Sequence, residues 1–145
     1  MLNFMRNVRT VIFDLDGTIW NWNELLPQAK YVVEKLRNDG KDIYFITNNT
    51  VLSREGLARK LTRMGIKTSP DRIITSGYSA ARYFRKKGIN SVYVIGEQGL
   101  IKELSIQNLK VNENAKHILI SVDRNFNIWK LKSCLLYTSP SPRDS

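Results

Sequence analysis

Apolar and polar positions along this chain follow two periods that take turns. TVIF, residues 10–13, is a short apolar run of the kind that predicts a buried strand. Pro27 then stands where a first helical turn tolerates its missing N–H. Ala29, Val32, Val33 and Leu36 recur at helical spacing, up to Gly40 as a left-handed stop. DIYFITN (42–48) predicts a second strand. Ser53 can cap a second helix that shows Leu57, Leu61 and Met64 on one face and stops at Gly65. The alternation continues with strand RIITS (72–76), a helix over 78–87 ending at Gly88, and strand SVYVIG (91–96). A short helix around Leu100, Ile101 and Leu104, strand HILISVD (117–123) and a helix over 127–135 complete it. Strands too apolar for an exposed face, alternating with helices, predict the α/β class: a parallel sheet with helices packed against it. LLYTSPSPRDS has no period, and 135–145 read as a disordered or non-native tail.

Composition narrows the class. With 145 residues and 42% hydrophobic content, the chain suits one globular domain or pieces of two. No run approaches the roughly 20 apolar residues of a membrane helix, and MLNFMRNVRT lacks an apolar signal region. Cys134 is the only cysteine, which rules out an internal disulfide; together these features predict a cytoplasmic location. The 23 Lys+Arg against 13 Asp+Glu give a net charge of +10, which could draw nucleic acid, anionic lipid or a small phosphorylated molecule. The charges are spread through helical patterns such as SREGLARKLTRMGIK and read as solvated faces. No nucleic-acid reader motif and no aromatics along a basic strip accompany them. Neither nucleic acid nor membrane is expected as a partner.

The chemistry concentrates at the end of the first strand, where Asp14 and Asp16 flank Leu15 in FDLDGT. If the strand persists to Asp16 the two carboxylates share a face; if the chain curls at Gly17 they share a rim. Two buried, unpaired carboxylates would be costly. A divalent cation such as Mg²⁺, which is commonly held by one or two carboxylates plus substrate phosphate, resolves the conflict. Gly17 permits the sharp exit and the Thr18 hydroxyl can fix the turn. FITNN places Thr47, Asn48 and Asn49 at the end of the next strand, where open parallel sheets bind ligands. If the strands are neighbours, about 4.8 Å apart, the Thr47 hydroxyl and nearby N–H groups can bind a phosphate beside Asp14. Trp20 and Trp22 read as packing residues, His117 as structural, and Asp123-Arg124 as a turn with a local ion pair. GEQGL lacks dinucleotide-fingerprint spacing and reads as a helix-entry turn.

DLDGT followed by ITNN resembles the first two motifs of the haloacid dehalogenase-like (HAD) hydrolase superfamily. DLDGTIW, FITNN, ITSGYSAARY, VYVIGEQGL and SVDRNFNIWKL together resemble its NagD-like branch, the p-nitrophenyl phosphatase and phosphoglycolate phosphatase group. The resemblance implies a Rossmann-like core over 1–88 and the start of an inserted α/β cap over 89–134. It also implies a Mg²⁺-dependent phosphatase acting on small phosphorylated metabolites. Asp14 would be the nucleophile that becomes an aspartyl phosphate, and Asp16 the acid and base. Mg²⁺ would sit on the Asp14 side chain and the Asp16 carbonyl; Thr47 and Asn48 would hold the phosphate, Asn49 would orient the substrate, and Gly17 would join these phosphate- and substrate-binding residues. The family's lysine motif and final acidic motif have no match after residue 123, so the chain reads as the front half of such an enzyme, poorly active by itself. A non-catalytic phosphate-binding or interaction domain is the alternative, and a homo-oligomer through the cap is possible in either case.

Overall fold

The computed structural model describes residues 7–138. They form two compact units: one holds residues up to 49 and 53–76, the other 50–52 and the chain from 77 onward. The resemblance implies a core that runs to residue 88 and so includes the helix expected over 78–87. The helix packs with the second unit instead, because Ala81 and Phe84 join that unit's apolar cluster.

The first unit is built on a parallel sheet. Strands β1 (Thr10–Asp14), β4 (Asp42–Thr47) and β5 (Ile73–Thr75) lie in the order β1-β4-β5. Thr10 pairs with Asp42 and Asp14 with Ile46, while Thr47 pairs with Thr75, so the carboxyl ends finish side by side. Strand alternation sends Val11, Phe13, Ile43, Phe45 and Ile73 to one face. Helices α1 (Ala29–Asn38) and α2 (Arg54–Arg63) contribute Val33, Leu57 and Leu61 to the same cluster. Pro27 lies ahead of α1, not in its first turn, because Gln28 takes a left-handed φ of 68° at the cap. Ser53 caps α2 as expected, its Oγ accepting from the Gly56 N–H at 3.3 Å. The opposite face is less covered: Ile12 is 57% and Ile46 44% exposed. The expectation of a fully buried first strand is therefore corrected, since only alternate residues of β1 face a packed layer. A hairpin not legible in the hydrophobic pattern, β2 (Trp20–Asn21) with β3 (Glu24–Leu25), follows the first strand.

The second unit repeats the logic. Its strands β6 (Ser91–Ile95), β7 (Lys110–Val111) and β8 (Ile118–Ile120) form a parallel sheet in the order β7-β6-β8. Helix α3 (Ser76–Lys86) and helix α4 (Gln98–Ile106) supply Ala81, Leu100 and Leu104 to its core with Val92 and Leu109. Helix α5 (Ile128–Thr138) runs past the expected end at 135, so four residues assigned to a tail are helical; 139–145 lie outside the described residues. The Asp123-Arg124 turn is not a local ion pair. Asp123 accepts from Lys130 Nζ, and Arg124 grips Glu97 through its backbone N–H, its Nε and, at 2.7 Å, its Nη2. These bonds tie the loop after β8 to the start of α4.

Two outcomes follow from this packing. A Cβ built on Gly99 would stand 2.4 Å from the Val51 carbonyl oxygen and 2.5 Å from the Leu52 carbonyl carbon. Gly99→Ala therefore meets backbone that cannot rotate away, and a loss of about 1–3 kcal/mol is expected as a lower urea midpoint. The Arg124 guanidinium and N–H hold the Glu97 carboxyl down at about 2, from an ordinary value of 4.5. A depressed carboxyl stabilises the fold above its unfolded pKa and loses that contribution as pH falls toward its folded value. Wild-type stability should thus fall more steeply than that of Glu97→Gln between pH 4.5 and about 2, the curves converging below, in thermal unfolding across that range.

Candidate active site

Leu15 explains how the site is built. It is wholly buried, and its carbonyl accepts from the N–H groups of Thr18, Ile19 and Trp20 at 3.3, 2.9 and 3.1 Å. The strand stops at Asp14, and the chain curls into a tight turn anchored by the buried side chains of Leu15, Ile19 and Trp20. Of the two arrangements open to Asp14 and Asp16, the rim is the one observed. Both are exposed at that rim. The expected burial of the two carboxylates is thereby corrected: Leu15 between them takes the inward position. Gly17 makes the turn at φ 82°, in the left-handed region that favours glycine. Its N–H donates to the Trp20 carbonyl at 2.8 Å, so its contribution to the rim is the turn itself.

The neighbouring strand end meets this turn directly. Thr47 Oγ1 donates to Asp16 Oδ2 at 3.1 Å and accepts from the Asn49 N–H at 3.0 Å. Trp20 Nε1 donates to the other oxygen, Asp16 Oδ1, at 2.9 Å. Asp16 is consequently held from both sides, by an indole on its own turn and by a hydroxyl on β4. Asn48 is exposed and Asn49 half-buried. The Asn48 carbonyl accepts from Ser76 Oγ at 3.0 Å, so the first residue of α3 braces the Thr47-Asn48-Asn49 loop. Asp14, Asp16, Gly17, Thr47, Asn48 and Asn49 are thus all brought to the carboxyl ends of β1 and β4.

Two participants escaped the sequence reading. Trp20 reads from the sequence as packing, and Ser76 as no more than the end of the expected strand RIITS. The signal for Ser76 is analogy of position: IT ends β5 as IT ends β4, and a polar residue follows each, Ser76 and Asn48. Trp20 carried no such signal: only the turn brings its N–H back to Asp16. The donor set at the rim is all oxygen, which suits a hard cation such as Mg²⁺. Among the described residues no three His, Cys, Asp or Glu side chains gather into a metal cage.

Sheet order, strand-end chemistry and the curl after the first carboxylate define a class, and direct comparison agrees. The chain belongs to the haloacid dehalogenase-like hydrolases, whose family model matches residues 11–110. It is similar to phosphoglycolate phosphatase 1A, chloroplastic, of Arabidopsis thaliana, with 29% identity over 94% of this chain and 44% of that protein. Against the sugar-phosphatase AraL of Bacillus subtilis identity is 35%, covering 77% of this chain and 43% of the relative. The crystallographic neighbour p-nitrophenyl phosphatase from Archaeoglobus fulgidus superposes with a TM-score of 0.82 at 30% identity, over 88% of this chain and 50% of its own. The chain spans about half the length of the curated relatives it matches.

The Thr47 hydroxyl is 2% exposed as a residue and serves two partners. Thr47→Val leaves the Asn49 N–H and one Asp16 oxygen without it and should cost about 1–3 kcal/mol, whereas Thr47→Ser should stay near wild type in thermal unfolding.

Proposed function

We propose that the protein is a Mg²⁺-dependent phosphatase of small phosphate monoesters, working through an aspartyl phosphate on Asp14. The observation that carries this reading is the fixed Asp16 carboxylate, bonded to Thr47 across the strand ends and standing two residues from an exposed Asp14. The curated relatives that the chain resembles are named as phosphatases of phosphoglycolate and of sugars, which supports the substrate class.

The steps follow from what each side chain offers. An Asp14 carboxylate oxygen attacks phosphorus from the side opposite the ester oxygen, and a new O–P bond forms as the ester O–P bond breaks. The departing oxygen takes a proton from Asp16. Asp16, now a carboxylate, accepts a proton from water as that water attacks the same phosphorus. The Asp14–phosphorus bond breaks, and inorganic phosphate leaves with Asp14 restored. Asn48 and the braced 47–49 loop hold the phosphate oxygens, Asn49 orients the ester, and Gly17 keeps the rim open.

The Thr47 hydroxyl has a single hydrogen, given to Asp16 in this arrangement. A phosphate oxygen would compete for it, which couples arrival of the ester to the acid that must serve it. The Asp14 carboxylate and the Asp16 backbone carbonyl would hold the cation. This division leaves the Asp16 side chain, already bonded through both oxygens, for proton transfer. When bound, the ion offsets phosphate charge. The residues that complete the site, a lysine and an acidic group by resemblance to the family, are proposed to lie outside these residues in the longer protein.

The test is phosphate release from p-nitrophenyl phosphate by the full-length product of the gene. Activity should require Mg²⁺ and vanish with a chelator. Asp14→Asn should lower kcat roughly a thousandfold or more, since it removes the group that forms the intermediate. Undiminished turnover by Asp14→Asn would sink the proposal.

A further inference from the structure

We infer that Trp20 is a positioning residue for the proton-transfer step, holding Asp16 in the one orientation from which it can serve the leaving oxygen. The inference rests on the phosphatase reading above and assigns a role to a residue whose bulk alone would make it part of the core.

Trp20 is 1% exposed, yet its one polar atom is turned to a side chain at the exposed rim. It donates to Asp16 Oδ1 at 2.9 Å. An exposed aspartate ordinarily samples several rotamers. Here the indole is fixed by the core, so the bond it makes is fixed too. The hairpin that carries Trp20 is itself pinned. The Trp22 carbonyl accepts from Lys60 Nζ at 2.7 Å, and the same ammonium lies 4.3 Å from the centre of the Trp20 ring. Lys60 belongs to α2, so a helix holds both the hairpin and the indole that meets Asp16 Oδ1. An indole N–H can only donate. Oδ1 is therefore kept as an acceptor, and the proton that Asp16 delivers is carried on Oδ2, the oxygen beside Thr47. Thr47 alone does not set this, because a hydroxyl can turn to donate or accept.

The consequence is a dependence on the leaving group. p-Nitrophenolate departs readily without a proton, while phenolate needs one, and the two esters have nearly the same shape. Trp20→Phe keeps most of the ring and removes the N–H. In the full-length protein kcat/KM for phenyl phosphate should fall roughly tenfold further than kcat/KM for p-nitrophenyl phosphate, a fraction of the 10²–10⁴ that general acid catalysis supplies. kcat/KM is the quantity to compare because it reports the steps through cleavage of the ester bond. Equal losses on both esters, or no loss on either, overturn the assignment. A wild-type protein that releases phosphate from neither ester overturns the phosphatase reading and this role with it. The bond itself has a readout free of turnover: in ¹⁵N-labelled protein, Asp16→Asn should shift the Trp20 indole N–H resonance more than those of Trp22 and Trp129. An unmoved Trp20 resonance also overturns the assignment, and that measurement stands even if Trp20→Phe fails to fold.

Discussion

The parallel pairing of β1 with β4 is the constraint on which the site depends. It sets Asp14 opposite Ile46, and with that register the turn after Asp14 comes level with Thr47. A one-residue slip would send Thr47 to the opposite face of the sheet and Ile46 to its place. The register is secured from the buried side, where Phe13 and Phe45 stack at 6.3 Å between ring centres and Ile43 and Ile73 fill the same layer. The geometry of the rim is thus specified by apolar residues packed behind it.

The same division of labour continues through the turn. Leu15, Ile19 and Trp20 anchor three points of the loop in the core, and the residues between them, Asp16, Gly17 and Thr18, are left at the surface. An exposed loop would normally be the mobile part of a domain. Here it is held by hydrogen bonds to the Leu15 carbonyl and by three buried side chains, which is what a site built on a loop needs for precision. Gly17 is the one place where the path demands a positive φ.

Much of this was legible in the residues. Ser53 announced the cap of α2, Gly40 and Gly65 the ends of two helices, and the parallel α/β class followed from the alternation of periods. DLDGT and TNN named the site because polar groups at the end of an apolar strand need a reason to be there. What stayed hidden were features set by long-range packing. The hairpin of β2 and β3 has strands of two residues each, too short for any period to register. The bond between Arg124 and Glu97 joins loops that only the β6–β8 pairing brings together. Asp14 is exposed although its neighbours in sequence are apolar, because burial of a strand belongs to the sheet around it.

That last point has a structural cause that also bears on the chemistry. β1 lies at the edge of its three-stranded sheet, and the face that carries Ile12 and Asp14 is the less covered one. Parallel sheets usually have both faces covered, so an exposed Ile12 and Ile46 are out of keeping with the class, while the relatives run to about twice this length. Asp14 owes its exposure to the same openness. A nucleophile must be reachable, but attack at phosphorus is favoured when water is displaced and charges are fixed around it. The proposed lysine and acidic group would supply the fixed charge at the rim where Asp14 already stands exposed.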